Sequence, residues 1–220
     1  MKKKILLTLS LFVSLTTFAQ RITYGASAGI GIYSMRGEAV NNLQQLLDFT
    51  DGIVNTKPVT GLYAGGYMNV PVSGSLSVEP GLYYTSKGYE VSGSYAVKDI
   101  SLLSANARAK LSTNYIDIPV LLKANFNGLQ VFAGPQVSYL TNAKLTTNVA
   151  VVGFNLLNSS SDVTNQFNRW DAGITGGMGY QFANGIRINA MYERGLSKVD
   201  AGKNTQSYNQ GFKIGAAFNF

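Results

Sequence analysis

A single all-β barrel is the fold class this sequence predicts, on three observations. Eight segments alternate apolar and polar residues with period two. Their connections alternate between short and long. The first twenty residues have the composition of an export signal. A chain of 220 residues is long enough for one barrel and does not require two domains.

The segments run in order as follows. Residues 22–33 set Ile22, Tyr24, Ala26, Ala28, Ile30 and Ile32 against a face of Gly, Ser and Thr ending in Tyr33. Residues 61–70 set Leu62, Ala64, Met68 and Val70 against Gly61, Tyr63, Gly65 and Tyr67. Residues 76–87 set Leu76, Val78, Leu82 and Tyr84 against Ser77, Glu79, Tyr83, Thr85 and Lys87. The clearest is 115–126: Ile116, Ile118, Val120, Leu122 and Phe126 on one side, Tyr115, Asp117, Leu121, Lys123 and Asn125 on the other. Four more follow at 129–139, 170–182, 186–194 and 212–220, the last ending Phe218-Asn219-Phe220. Pro80, Pro119 and Pro135 fall inside segments, where each removes a ladder donor, so bulges are expected there.

The connections after even-numbered segments are short: 71–74, Asn127-Gly128 and Ala183-Asn184-Gly185. Asn-Gly is a strong hairpin signal. The others are long, at 34–59, 88–114, 140–169 and 195–210. Long loops on one side and tight turns on the other are the pattern of a barrel that crosses an outer membrane. Strands of about nine to twelve residues also suit a tilted crossing.

Alternation alone does not say which face is outside; a soluble ligand-binding barrel would turn its apolar face inward. Charge and aromatic placement decide. The polar faces carry only Glu79, Lys87, Asp117, Lys123, Asp171, Arg187, Glu193 and Lys213, far below the roughly 25–35% charge of a soluble surface. Tyr84, Tyr139, Trp170, Tyr192 and Phe212 lie at the loop-side ends of the apolar faces. Tyr24, Phe126, Tyr180 and Phe182 lie at the turn-side ends, so the two sets form a pair of interfacial girdles. Phe218 and Phe220 close the last strand as a barrel-assembly signal would. The full expectation is an eight-stranded antiparallel up-and-down transmembrane β-barrel in a Gram-negative outer membrane, with four long external loops and three short periplasmic turns. Residues 1–19 form a secretory signal peptide and 20–220 the barrel domain.

Eight strands enclose a space just wide enough for side chains. The four inward acids and four inward bases are therefore expected to pair, with inward glycines making room for Tyr33, Tyr63, Tyr67, Tyr83 and Arg187. An ion path lined by the same charges is the alternative. In the loops, Val40, Leu43, Leu46, Leu47 and Phe49 recur at helical spacing and predict a short amphipathic helix. Residues 149–157 form an apolar stretch.

Composition excludes much else. With no Cys there are no disulfides, N-terminal lipidation or thiolate metal sites. With no His, the commonest general base and metal ligand are missing, and no metal-binding spacing appears. The chain is read as non-enzymatic, with no cofactor and no metal. Losing the three lysines of the signal lowers the net charge from +7 to +4, with no long basic run. Nucleic acid is thus not among the expected partners. Those partners are outer-membrane lipid and lipopolysaccharide, the barrel-assembly machinery, and an envelope protein met through the loops.

Three motifs carry a family resemblance: Glu79-Pro-Gly-Leu-Tyr-Tyr-Thr-Ser-Lys-Gly88, Tyr115-Ile-Asp-Ile-Pro-Val-Leu-Leu-Lys123 and Phe132-Ala-Gly-Pro-Gln-Val-Ser-Tyr139. Together they resemble the PorT-like outer-membrane β-barrel family of Bacteroidetes, over essentially the whole chain after the signal. The resemblance implies a small barrel. Through the family's founding member it also implies a link to protein secretion across the outer membrane. Two functions stay open: a plugged barrel acting structurally or through its loops, as an accessory to an envelope or secretion complex, and a narrow channel for ions or small solutes.

Overall fold

The computed structural model describes residues 22–37, 54–96, 104–151, 154–199 and 206–220. The signal peptide and the amphipathic helix expected near Leu46 lie outside them. Nine strands form among the described residues: β1 (Thr23–Gly37), β2 (Val54–Ser73), β3 (Leu76–Ala96), β4 (Ser104–Phe126), β5 (Leu129–Val151), β6 (Phe154–Asp162), β7 (Trp170–Gln181), β8 (Ile186–Gly195) and β9 (Ser207–Asn219). Eight of them pair antiparallel in a closed ring, β1-β2-β3-β4-β5-β7-β8-β9, with β9 returning to β1. Closure satisfies every edge inside the membrane, which is what lipid demands of strands.

The turn side is built as its residues dictate. Asn127 and Gly128 both take positive φ, 50° and 95°, the two left-handed positions of a type I′ hairpin. Gly74 and Gly185 supply positive φ in the other two turns.

The outer face is apolar and uncovered. Ile30, Leu62, Leu82, Leu122, Met178 and Ile214 are each half or more exposed, while the inner face is buried and polar. Burial therefore runs opposite to that of a soluble barrel. On β7, Trp170 and Tyr180 bracket the apolar band. Ten residues at about 3.3 Å each, tilted by roughly 40°, span about 25 Å, the height of an outer-membrane hydrocarbon layer.

Two expectations need correction. The in-strand prolines make no bulge. Pairing lapses between Pro80 and Tyr83 and between Pro119 and Leu122, then resumes in unchanged register on both flanks. A proline lacks one donor toward one neighbour, so a local gap suffices. The register shifts lie elsewhere, beside Pro58, Pro71, Asn114 and Val149.

The connections are also shorter than expected. β3, β4 and β5 continue well past the membrane band, and the apolar stretch near residue 150 is the tip of a hairpin in which β6 folds back on β5, with Val149 opposite Leu157. These extensions, with Val54–Pro58 of β2, form a five-stranded external sheet in the order β2-β3-β4-β5-β6.

Candidate functional site

All eight predicted interior charges are buried on the inner face, at 5% exposure or less. They divide into two clusters. Toward the turns, the Arg187 guanidinium grips Glu79 with two parallel hydrogen bonds, 2.7 and 2.9 Å, and Lys123 Nζ donates to the same carboxylate at 2.6 Å. Arg187 also donates to Gln130 Oε1 at 3.3 Å and lies 4.6 Å over the Tyr67 ring. Two cations thus share one anion.

Toward the loops, Lys87 and Lys213 each touch both Asp117 and Glu193. The four contacts are 3.3 and 2.6 Å from Lys87 and 3.3 and 2.6 Å from Lys213. This closed ring of alternating charge is neutral. Ser138 donates to Asp117 at 2.6 Å, and Gln136 reaches Glu193 at 3.4 Å.

Asp171 departs from the expected acid–base pairing. It has no ion pair among the described residues; Asn209 Nδ2 donates to one oxygen at 2.8 Å, and the other is buried without a hydrogen-bond partner. Both lysines of the ring are already shared between two carboxylates. Asp171, one strand beyond Ser138 in the same cross-strand row as Asp117, is left to amide chemistry.

Tyrosines separate and pad these clusters. Tyr33 sits against Gly31 and Gly211, Tyr63 against Gly29 and Gly215, Tyr67 against Gly25, and Tyr83 against Gly65 and Gly81; a Cβ at any of those glycines would collide with the ring. The expectation that glycine makes room for large inward side chains therefore holds for these tyrosines. Among the described glycines, none has Arg187 among its nearest atoms; the guanidinium is held by the Glu79 carboxylate and the Tyr67 ring. The Lys213 ammonium lies between two tyrosine rings, 5.5 Å from Tyr63 and 6.0 Å from Tyr33, a favourable position for a desolvated cation.

At the loop-side end of the interior, β4 and β5 carry a cap that alternation could not reveal. After β6 the chain makes one 3-10 turn, Thr164–Gln166, that buries Val163 against Tyr115, Leu140 and Ala143, with Leu111, Leu145 and Phe167 packed around them. Val163 N–H donates to the Ala143 carbonyl, and Thr164 Oγ1 accepts from Ala143 N–H. Residues 195–199 lean on the same turn through Asn168, and Val199 is buried.

Above the membrane band the outer face changes character. Ile32, Tyr84, Tyr192 and Phe212 give way two residues on to Ser34, Ser86, Arg194 and Gln210. Beyond them come Arg36, Lys57, Glu90, Arg108, Lys110 and Lys144. Glu90 is flanked in register by Lys57 and Lys110 and pairs with Arg108 at 3.2 Å. The inner face of the same strands turns apolar at that level, with Leu111 and Leu145 against the cap.

The remaining predicted residues lie on the outer face in two bands. Tyr84, Tyr139 and Trp170 stand in one cross-strand row, with Tyr139 and Trp170 rings 4.9 Å apart, while Tyr192 pairs with Phe212. Tyr24, Phe126, Tyr180 and Phe182 form the lower band, Tyr180 and Phe182 in edge contact at 5.0 Å; Phe218 and Phe220 project outward beside them.

The model of the outer membrane protein beta-barrel domain family matches residues 18–201. No curated protein matches. Among solved structures, the chain is similar to the attachment invasion locus protein Ail of Yersinia pestis, at 11% identity and a TM-score of 0.41, covering 91% of this chain and all of that one. Neisserial surface protein A is similar at 10% identity and 0.41, over 91% and 100% of the two chains. OprG of Pseudomonas aeruginosa is similar at 11% and 0.42, over 90% and 95%.

Proposed function

The chain belongs to the family of the outer membrane protein beta-barrel domain and lies in a Gram-negative outer membrane; on that premise we propose that it is a non-enzymatic, plugged barrel whose external sheet is its working surface. The carrying observation is the reversal of polarity along β3, β4 and β5. The strands continue beyond the membrane as a sheet with a charged outer face, seated on an interior filled by ion pairs and tyrosines. A structure that only had to span the bilayer would need neither the extensions nor the cap. The resemblance of the 79–88, 115–123 and 132–139 motifs to PorT-like barrels makes an accessory role in an envelope or secretion complex the partner class to test first.

Other roles belong to the same reading. Residues 1–19 act as the export signal, the two aromatic bands anchor the barrel at the membrane surfaces, and Phe218 and Phe220 are read by the assembly machinery. Photo-cross-linkers at Leu157 and Lys144, both exposed on the external hairpin, are expected to capture one defined envelope protein in intact cells. Capture of lipid alone would restrict the role to a structural one.

A second reading, a narrow channel, is favoured by small voids of about 10 and 20 Å3 beside the two charge clusters. The barrel reconstituted in a planar bilayer is expected to leave the conductance at background. A stable conductance step that Asp117→Ala or Lys123→Ala abolishes would replace the plugged-barrel reading by the channel.

A further inference from the structure

At the turn side, which faces the periplasm, the barrel interior opens into a vestibule of about 190 Å3. At about 30 Å3 per water this is room for roughly six waters. Its lining is chemically one-sided. Asn69, Asn125, Gln130, Gln181 and Asn219 contribute carboxamides, Ser75 and Ser77 contribute hydroxyls, and Lys123 is the only charged side chain among the described residues of the lining.

That lysine belongs to the cluster in which Lys123 and Arg187 share Glu79, so three buried charges leave a surplus of one positive. Arg187 saturates Glu79 through its fork. The Lys123 ammonium has three hydrogens and spends one of them on the same carboxylate. A buried charge without a full counter-charge is costly, and the vestibule is where this one meets the outside.

The amides are oriented by bonds they already make. Gln130 accepts from Arg187 through its oxygen, and Asn125 accepts from Gly128 N–H at 3.0 Å. Their NH2 ends remain as donors. Asn69 Oδ1 is the converse: a buried acceptor with no partner among the described residues, on the same wall. The lining therefore presents a cation, two amide donors and one vacant acceptor.

We infer that this vestibule is a binding site for a small oxyanion that also carries a hydroxyl, with phosphate as the matching chemistry. Phosphate oxygens accept from Lys123, Gln130 and Asn125, while the P–OH donates to Asn69 Oδ1. A carboxylate satisfies the donors and leaves Asn69 unpaired. The surplus of charge at this end, against the unpaired Asp171 near the opposite end, directs an anion to the periplasmic mouth. The source is free phosphate, which keeps a P–OH at neutral pH, or the monoprotonated form of a phosphomonoester small enough for the cavity.

The test uses the full-length barrel in detergent micelles, titrated at constant ionic strength with inorganic phosphate, acetate and glycerol 3-phosphate, and followed by NMR of the side-chain amides. Saturable shifts at Asn125 and Gln130 are expected with phosphate, and weaker binding with acetate. Lys123→Gln removes the surplus charge and is expected to weaken phosphate roughly tenfold or more, the loss of one charge-assisted hydrogen bond. Asn69→Leu is expected to erase the preference for phosphate over acetate while leaving acetate binding in place. It stands as the second variant if Lys123→Gln does not fold. Glycerol 3-phosphate binding as well as phosphate identifies an ester as the source; its exclusion identifies the free ion. Shifts that do not saturate, or that are equal in Lys123→Gln, or a phosphate preference that survives Asn69→Leu, would overturn the site.

Discussion

The two halves of β4 are one continuous strand with opposite polarity. In its lower half, Ile116, Ile118, Val120 and Leu122 face outward and Tyr115, Asp117, Leu121 and Lys123 face in. In its upper half, Arg108, Lys110 and Ser112 occupy the outward positions, while Leu111 packs inward against the cap. Hydrogen bonding does not distinguish them: both halves pair with β3 and β5. The difference is the solvent. Below the reversal the outside is hydrocarbon and the inside must satisfy its own polar groups; above it the outside is water and the inside becomes a conventional apolar core. The membrane surface is therefore written into the strand as a change of phase rather than as an end of the strand.

The largest expected effect lies inside the lower half. Asp117 holds two lysines in a ring whose members are all buried to 5% exposure or less. Asp117→Asn strands one buried positive charge and is expected to cost about 3–5 kcal/mol, whereas Asp117→Leu combined with Lys213→Met is expected to recover most of that. Denaturant unfolding of the barrel in lipid vesicles measures both. A single variant as stable as the parent would mean that water reaches the ring, and the plugged interior would be wrong.

The next effect tests the outer face. Val120→Arg places on the lower half of β4 the side chain that Arg108 already carries on the upper half. It is expected to destabilise the barrel by about 2–4 kcal/mol, because the new charge faces lipid. A cost below about 1 kcal/mol would place Val120 near the bilayer surface and shift the band.

This phase change also explains what the sequence could and could not show. The eight ring strands were legible because their lower halves alternate apolar residues with a face made mostly of polar residues, glycine and tyrosine, and the inward charges follow from that pattern by counting. The upper half of β4 also alternates, with Ala109 and Leu111 set against Arg108 and Lys110. The polar run Ser112-Thr113-Asn114 interrupts the pattern and resets its phase, so a period-two reading starts afresh at Tyr115. The β5–β6 hairpin was hidden for a related reason: Asn158-Ser159-Ser160-Ser161 reads as loop composition, and its strand character comes from pairing with β5. The ring of four charges and the lone Asp171 were beyond sequence reasoning altogether. Spacing along the chain does not say which of four acids two lysines will reach across a barrel. No periodic signal marks the cap at Val163, because a single 3-10 turn is too short to have one.

A smaller effect is expected in the upper half. Glu90 and Arg108 form the external counterpart of the buried ring, and the arginine side chain is 60% exposed. Glu90→Gln is expected to change stability by less than about 1 kcal/mol, and by less still in high salt. Set beside Asp117→Asn, it measures how much the same charge chemistry gains in weight when water is removed.

The smallest expected effect is a titration at the base of the external hairpin. The Thr164 hydroxyl and its N–H, which donates to Asp162 Oδ1 at 2.8 Å, hold the Asp162 carboxyl below the usual carboxylate range, with Arg169 adding attraction. Lys144, opposite Asp162 in register, carries the same sign of charge as Arg169. A carboxyl whose folded value is lowered favours the folded hairpin above its ordinary range, and that contribution fades as pH falls through the lowered value. The Thr164 amide resonance is therefore expected to move at a pH below that of an aspartate in an unfolded peptide, and Asp162→Asn is expected to abolish the movement. The change should stay local to the hairpin base, because Asp117 and Glu193 lie deeper in the barrel, at 3% exposure or less. A transition in which barrel resonances move together with Thr164 would mean that cap and interior titrate as one unit, and that the two halves of the strand are not separate environments.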